Sequence, residues 1–201
     1  MKLSFLLFLT SLLAVGCTAQ TSQDKGAAQS PNKLTPQTQK PQPVPEPESG
    51  MKKLRDMALT TPPKEIGFDS SRADYKVYGV LMETGYPEGL ATLVSLRDGT
   101  ASLYLGHGGG VLGGISHEGV RKAATDFVKE SEKYLGRMKG TKSFPYPAVG
   151  QVKFYLLTFD GVVTAEADEN ALGEGGHELS PLFYAGHEVL SQLRRMTEEE
   201  K

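Results

Sequence analysis

The chain has 201 residues, with 22 Lys and Arg against 24 Asp and Glu and a formal net charge of −2. That near-balance excludes the clustered basic footprint of a nucleic-acid-binding surface. Cys17 is the only cysteine, so no disulfide can form within the chain and the fold must rest on its apolar core.

The chain opens with Met1 and Lys2, runs through a largely apolar stretch from Leu3 to Val15, and reaches Gly16–Cys17. The apolar stretch is shorter than the ~18 residues that a membrane span needs, and Ser4, Thr10 and Ser11 interrupt it. A charged start, an apolar middle and a small residue at its end read as an export signal. Leu13–Ala14–Val15–Gly16–Cys17 resembles the lipobox of bacterial lipoproteins. An ordinary secretory signal with an incidental cysteine is the other reading of the same residues. The lipoprotein resemblance implies a signal peptide over residues 1–16, cleavage after Gly16, and acylation of Cys17, palmitate included. It also implies attachment to the cell membrane or outer membrane on the exported side. Thr18, in place of an aspartate, favours the outer membrane where the envelope has one.

Residues 17–50 read as a lipidated cysteine followed by a disordered tether. Gln, Thr, Ser and Pro dominate, and Leu34 and Val44 are its only large apolar residues. Such a segment buries too little surface to offset its ordering entropy. Pro41, Pro43, Pro45 and Pro47 stiffen its end toward extended polyproline II.

Residues 51–201 read as one α+β domain. A short helix is expected over residues 52–59, stopped by Pro62 and Pro63. A strand follows over residues 75–83. Strands over 90–97 and 100–105 flank Asp98–Gly99, a dipeptide that favours a two-residue type I′ hairpin turn. That turn pairs Leu96 with Ala101, Val94 with Leu103, and Thr92 with Leu105. A helix over 117–138 carries an apolar stripe of Val120, Ala123, Ala124, Phe127, Val128, Tyr134, Leu135 and Met138, with Ser116 placed as N-cap. A second hairpin over 152–159 and 162–167 brackets Asp160–Gly161. A second helix opens at Ser180–Pro181 with Leu182, Val189, Leu193 and Met196 on one stripe, and Gly186 there permits close packing. The whole predicts about five mostly antiparallel strands with two main helices on one face, ββα occurring twice. The element order resembles small profilin-like or roadblock-like α+β domains, and the composition resembles uncharacterised bacterial envelope proteins.

The most unusual segment of the domain runs from Gly106 to Gly114. Gly108, Gly110 and Gly113 fit G-x-G-x-x-G, whose glycines would let a phosphate approach backbone N–H groups at a helix start. The preceding hairpin and the lack of an acidic residue after a second parallel strand argue against a dinucleotide fold. A small-ligand or anion site remains, formed by His107, Gly108, Gly109, Gly110, Ser116 and His117. A turned, close-packed loop is the alternative for the same glycines.

His117, His177 and His187 each precede a Glu, but none continues to H-E-x-x-H. His107, His117 and His177 could meet only by tertiary convergence, so no metal site is assigned. Gly114–Ile115–Ser116–His117–Glu118 misses the nucleophile elbow at its last position. Asp168–Glu169–Asn170–Ala171–Leu172–Gly173 begins like a calcium loop, but Leu172 and Leu179 occupy ligand positions. Phe144 and Tyr146, set between prolines, are candidates for an exposed contact surface. No catalytic residue and no cofactor is assigned. The sequence therefore leads to a non-enzymatic, membrane-anchored envelope lipoprotein with a protein partner, with small-ligand binding at the Gly106–Gly114 loop as the alternative.

Overall fold

The computed structural model describes residues 42–199. The lipobox, Cys17 and most of the expected tether lie outside the described residues. Seven antiparallel strands form one sheet in the order β4-β3-β2-β1-β6-β7-β5. They are β1 (Val77–Tyr86), β2 (Gly89–Leu96), β3 (Ala101–Leu105), β4 (Gly110–Val111), β5 (Lys139–Thr141), β6 (Gln151–Thr158) and β7 (Gly161–Asp168). Four α-helices accompany them: α1 (Ser49–Thr60), α2 (Glu118–Ser131), α3 (Glu169–Gly173) and α4 (Ser180–Glu199). The α+β class holds. The expected five strands become seven because the two short edge strands, β4 and β5, are too brief to carry a readable alternation.

The expected stripes of α2 and α4 pack on one face of the sheet. Val120, Ala124, Phe127 and Val128 of α2 meet Leu182, Val189 and Leu193 of α4 over Val80, Met82, Leu93, Phe154 and Leu156. A Cβ on Gly186 would stand 2.6 Å from Met82 Sδ, so glycine allows α4 its close approach to the sheet. Helix α2 stops at Ser131, short of the expected Met138. There the chain tightens into a 3₁₀ segment, Glu132–Arg137. Glu132 Oε1 accepts the Lys76 and Val77 N–H groups at 2.7 and 3.1 Å, which fastens this segment to the start of β1.

The other face is also covered. Leu59 of α1 and Phe68 join Tyr78, Leu81, Val94, Tyr155 and Leu157 in a second, smaller core. The sheet is thus sandwiched between helices, where the sequence suggested helices on one face only. The ordered body also begins earlier than residue 51. Pro43 bridges to Ala148, Val149 N–H donates to Gln42 O, Pro47 is buried, and α1 starts at Ser49. The proline-rich stretch from residue 43 is docked on the domain.

The β2–β3 register differs by one residue from the expected one. Ser95 faces Ala101, Leu93 faces Leu103 and Ala91 faces Leu105. The turn has three residues, Arg97–Asp98–Gly99. Gly99 N–H returns to Leu96 O at 3.0 Å, Thr100 N–H is held by Asp98 Oδ1, and Gly99 sits at φ +92°. It is a three-residue hairpin loop closed by a left-handed glycine. The slip exchanges which side chains face α2. The β6–β7 hairpin likewise turns on Phe159 and Asp160, with Thr158 facing Gly161.

Candidate functional site

On the α1 face, five side chains lie directly opposite one another across five strands. Tyr104 of β3 faces Thr92 of β2, Thr92 faces Glu83 of β1, Glu83 faces Lys153 of β6, and Lys153 faces Glu166 of β7. Side chains alternate between sheet faces, so a polar residue in the middle of an apolar strand commits the facing position on its neighbour. Glu83 lies between Met82 and Thr84 on β1, and Lys153 between Val152 and Phe154 on β6.

Helix α1 supplies the charge that Glu83 needs. Arg55 Nε donates to Glu83 Oε1 at 2.6 Å and Nη2 to Oε2 at 2.8 Å, a bidentate pair. Neither side chain is more than 4% exposed. Thr92 Oγ1 donates to Glu83 Oε1, Arg55 Nη2 also donates to Phe144 O, and the guanidinium lies 4.5 Å from the Tyr146 ring. Burial alone would lower the Arg55 pKa, but hydrogen bonds and charge from Glu83 outweigh it and raise it. Tyr155 OH donates to Pro145 O at 2.7 Å, and burial pushes its phenol well above the usual tyrosine value. Lys153 Nζ pairs with Glu166 Oε2 at 3.0 Å.

Phe144 and Tyr146 are therefore not a free contact surface. Phe144 packs edge-on against Tyr155, and Tyr146 roofs Arg55 and accepts from Lys52 Nζ. The linker between β5 and β6 straps α1 to the sheet. Each charge in the row has its counter-charge, and Glu83 is spanned by three donors. The arrangement is a clamp that ties α1 to the centre of the sheet.

Beside the clamp lies an apolar groove of about 200 Å³ between α1 and strands β2 and β3. Leu54, Met57, Ala58, Ile66, Val94 and Leu96 are among its walls. Met57 is 50% exposed and Ile66 36%. Ser102 also lines the groove, and its Oγ accepts the Gly113 N–H at 3.4 Å.

The glycine-rich loop folds back as a hairpin, and packing accounts for its glycines. A Cβ on Gly110 would stand 2.1 Å from Leu103 O, and one on Gly106 would stand 2.8 Å from Leu90 N. Gly106 N–H donates to Leu90 O and Gly108 N–H to Leu105 O, so neither is available to a ligand. The Glu48 carboxylate stands beside Gly108, placing negative charge where an anion would sit. His107 and Gly109 are exposed at the hairpin tip. Ser116 is not the cap of α2. It lies in a 3₁₀ turn, Gly114–Ser116, and His117 holds the N-cap position with no side-chain capping bond.

His107 lies beyond β3 at one side of the sheet, whereas His177 lines a groove with Lys139 and Thr164 at the other. His177 Nδ1 accepts the Leu179 N–H. His117 lines a polar groove between α2 and α4. Among the described residues no three His, Cys, Asp or Glu side chains could hold a metal ion together. The calcium-like segment is a capped helix, with Asp168 Oδ1 accepting Ala171 N–H at the start of α3. Among the described residues no helix is long and apolar enough to cross a membrane.

Comparison with protein-family models, with curated proteins and with solved structures gave no significant match.

Proposed function

We propose that this is a lipid-anchored envelope lipoprotein whose domain is a non-enzymatic protein-interaction module. The single observation that carries the interaction reading is the apolar groove under α1, lined by the exposed side chains of Met57 and Ile66. These are two of the six large apolar residues that stand exposed among the described residues. Exposed apolar residues gathered at one groove mark a contact surface more strongly than the same residues scattered singly. The clamp supports the same reading, because it holds α1, one wall of the groove, against the sheet.

Anchoring rests on the Leu13–Cys17 lipobox, and interaction on the groove, so two experiments test them separately. Mass spectrometry of the mature N-terminus is expected to find acylated Cys17, and Cys17→Ser is expected to leave the membrane fraction. Retention of that variant on the membrane refutes the anchor. A photo-crosslinking side chain at position 57 of the native, membrane-attached protein is expected to trap a discrete partner, and Ile66→Glu is expected to abolish the adduct. Both positions are surface sites where substitution changes stability by less than about 0.5 kcal/mol. No adduct in the unsubstituted background, or an adduct indifferent to Ile66→Glu, refutes the groove.

A further inference from the structure

Methionine is the only sulfur-bearing residue type among the described residues, since Cys17 lies outside them. Met82, Met138 and Met196 are buried in the larger core. Met82 Sδ lies under α4, 2.6 Å from where a Gly186 Cβ would stand. Met51 is half-buried beside Pro47 and Arg55. Met57 differs from all four. It is 50% exposed, it lines the apolar groove, and it belongs to neither buried core.

An exposed thioether is open to two-electron oxidants. A hydroperoxide transfers one oxygen atom to Met57 Sδ: its O–O bond breaks, an S–O bond forms, the sulfur gives up two electrons, and the peroxide leaves as water or an alcohol. The product is a sulfoxide, polar and chiral where the thioether was apolar and adaptable. In a groove whose walls include Leu54, Ala58, Ile66, Val94 and Leu96, it sets a hydrogen-bond acceptor in place of an apolar contact. An apolar partner surface seated there must desolvate that acceptor, whereas water satisfies it in the open groove. The fold has little at stake. Arg55 and Leu59, the buried residues of α1, stand two positions to either side of Met57 and so about 200° around the helix from it.

We propose that Met57 is a reversible oxidation site that switches the groove: the thioether form admits a partner's apolar contact, and the sulfoxide form turns it away. The switch rests on the groove being the contact surface proposed above. Its return step belongs to methionine sulfoxide reductases, one for each sulfoxide epimer, with a dithiol as reductant. The oxygen leaves as water while the dithiol becomes a disulfide. The Arg55–Glu83 clamp holds α1 in both forms, so the surface changes polarity without a change of fold.

The test treats the native, membrane-attached protein with graded hydrogen peroxide. Peptide mass spectrometry then maps the added oxygen, and a photo-crosslinking side chain at position 61, also in the groove lining, reports partner contact. Met57 is expected to gain oxygen before Met51, Met82, Met138 and Met196. Adduct yield should fall about fivefold or more as Met57 converts. It should recover on treatment with both epimer-specific reductases and a dithiol. Met57→Leu keeps an apolar wall without the sulfur, so its adduct should resist peroxide. Met57→Gln should give a low yield with no peroxide at all. The urea midpoint of the purified protein should stay unchanged as Met57 converts. Earlier oxidation of another methionine, an adduct indifferent to Met57 conversion, or a Met57→Leu adduct as sensitive as the parent's overturns the switch and leaves the groove reading standing. A urea midpoint that falls with Met57 conversion also overturns it, because lost contact would then report unfolding. No adduct from the unoxidised protein refutes the groove reading and the switch together.

Discussion

Replacing Arg55 by Met strips the counter-charge from Glu83, whose side chain has no exposure. Two hydrogen bonds, at 2.6 and 2.8 Å, vanish together, and Thr92 Oγ1 remains the only side-chain donor to the carboxylate. Removing one partner of a buried pair costs about 3–5 kcal/mol. At about 2–4 °C per kcal/mol for a chain of this size, Tm should fall by about 6–20 °C. The double variant Arg55→Met/Glu83→Leu removes both desolvated charges and fills the space with apolar atoms, which is often neutral or stabilising. Urea unfolding of the four proteins of the cycle gives the coupling directly. The double variant should recover most of the single-variant loss, leaving a coupling of at least about 2 kcal/mol. Limited proteolysis within residues 49–60 identifies the mode of failure, because Glu83 can rehydrate only if α1 lifts off. The reasoning is refuted if Arg55→Met costs less than about 1 kcal/mol, or if the double variant loses the sum of the two singles.

Glu132 accepts two β1 N–H groups and faces Arg97 Nη1 at 3.3 Å, so Glu132→Ala should cost about 1–3 kcal/mol in urea unfolding. Burial alone would raise the Glu132 pKa, but the Val77 and Lys76 N–H groups and Arg97 together hold it below the ordinary 4.5. Its contribution is therefore complete above pH 4.5 and is lost as pH falls through the lower folded-state value, a slope that Glu132→Ala should abolish. His187 packs 4.2 Å from the Phe183 ring, and burial depresses its pKa below the ordinary 6.5. Above pH 6.5 it is neutral folded or unfolded. As pH falls below that, the unfolded chain takes up the proton first, so stability declines toward the lower folded-state pKa, and His187→Gln should flatten this part of a Tm-against-pH curve. Gly110→Ala, at φ +149° and with its Cβ against Leu103 O, should cost at least about 2 kcal/mol in the absence of any ligand. Gly109→Ala, at φ +84° in open space, should cost only about 1 kcal/mol. Equal losses would remove packing as the reason for the glycine-rich loop.

The helix stripes were legible because they are local. Val120, Ala124, Phe127 and Val128 recur at helical spacing, and so do Leu182, Val189, Leu193 and Met196, and all are buried. The β2–β3 register was not legible, because Asp98–Gly99 suits either a two-residue turn or the second half of a three-residue one. Arg97 N–H bonds to Tyr78 O of β1, a contact from outside the hairpin that helps hold the longer turn. The polar row escaped detection for the same reason at larger scale. Glu83 and Lys153 are 70 positions apart and become neighbours only once β1 pairs with β6 in a defined register. A charged residue at the middle of each apolar strand was the available signal. The three histidines carried no such signal, and the sheet holds His107 and His177 apart.

The clamp bears on function through α1. Leu54, Met57 and Ala58, which form one wall of the apolar groove, sit on the same helix as Arg55. A bidentate pair fixes the rotation of that helix as well as its distance from the sheet, whereas an apolar contact tolerates several packings. Arg55→Met/Glu83→Leu therefore separates stability from groove geometry. Its urea midpoint is expected near that of the parent protein, while the crosslinking yield from position 57 falls severalfold because the wall no longer holds one orientation. A stable double variant with an undiminished yield would show that the charge pair only fastens α1 and has no part in shaping the surface beside it.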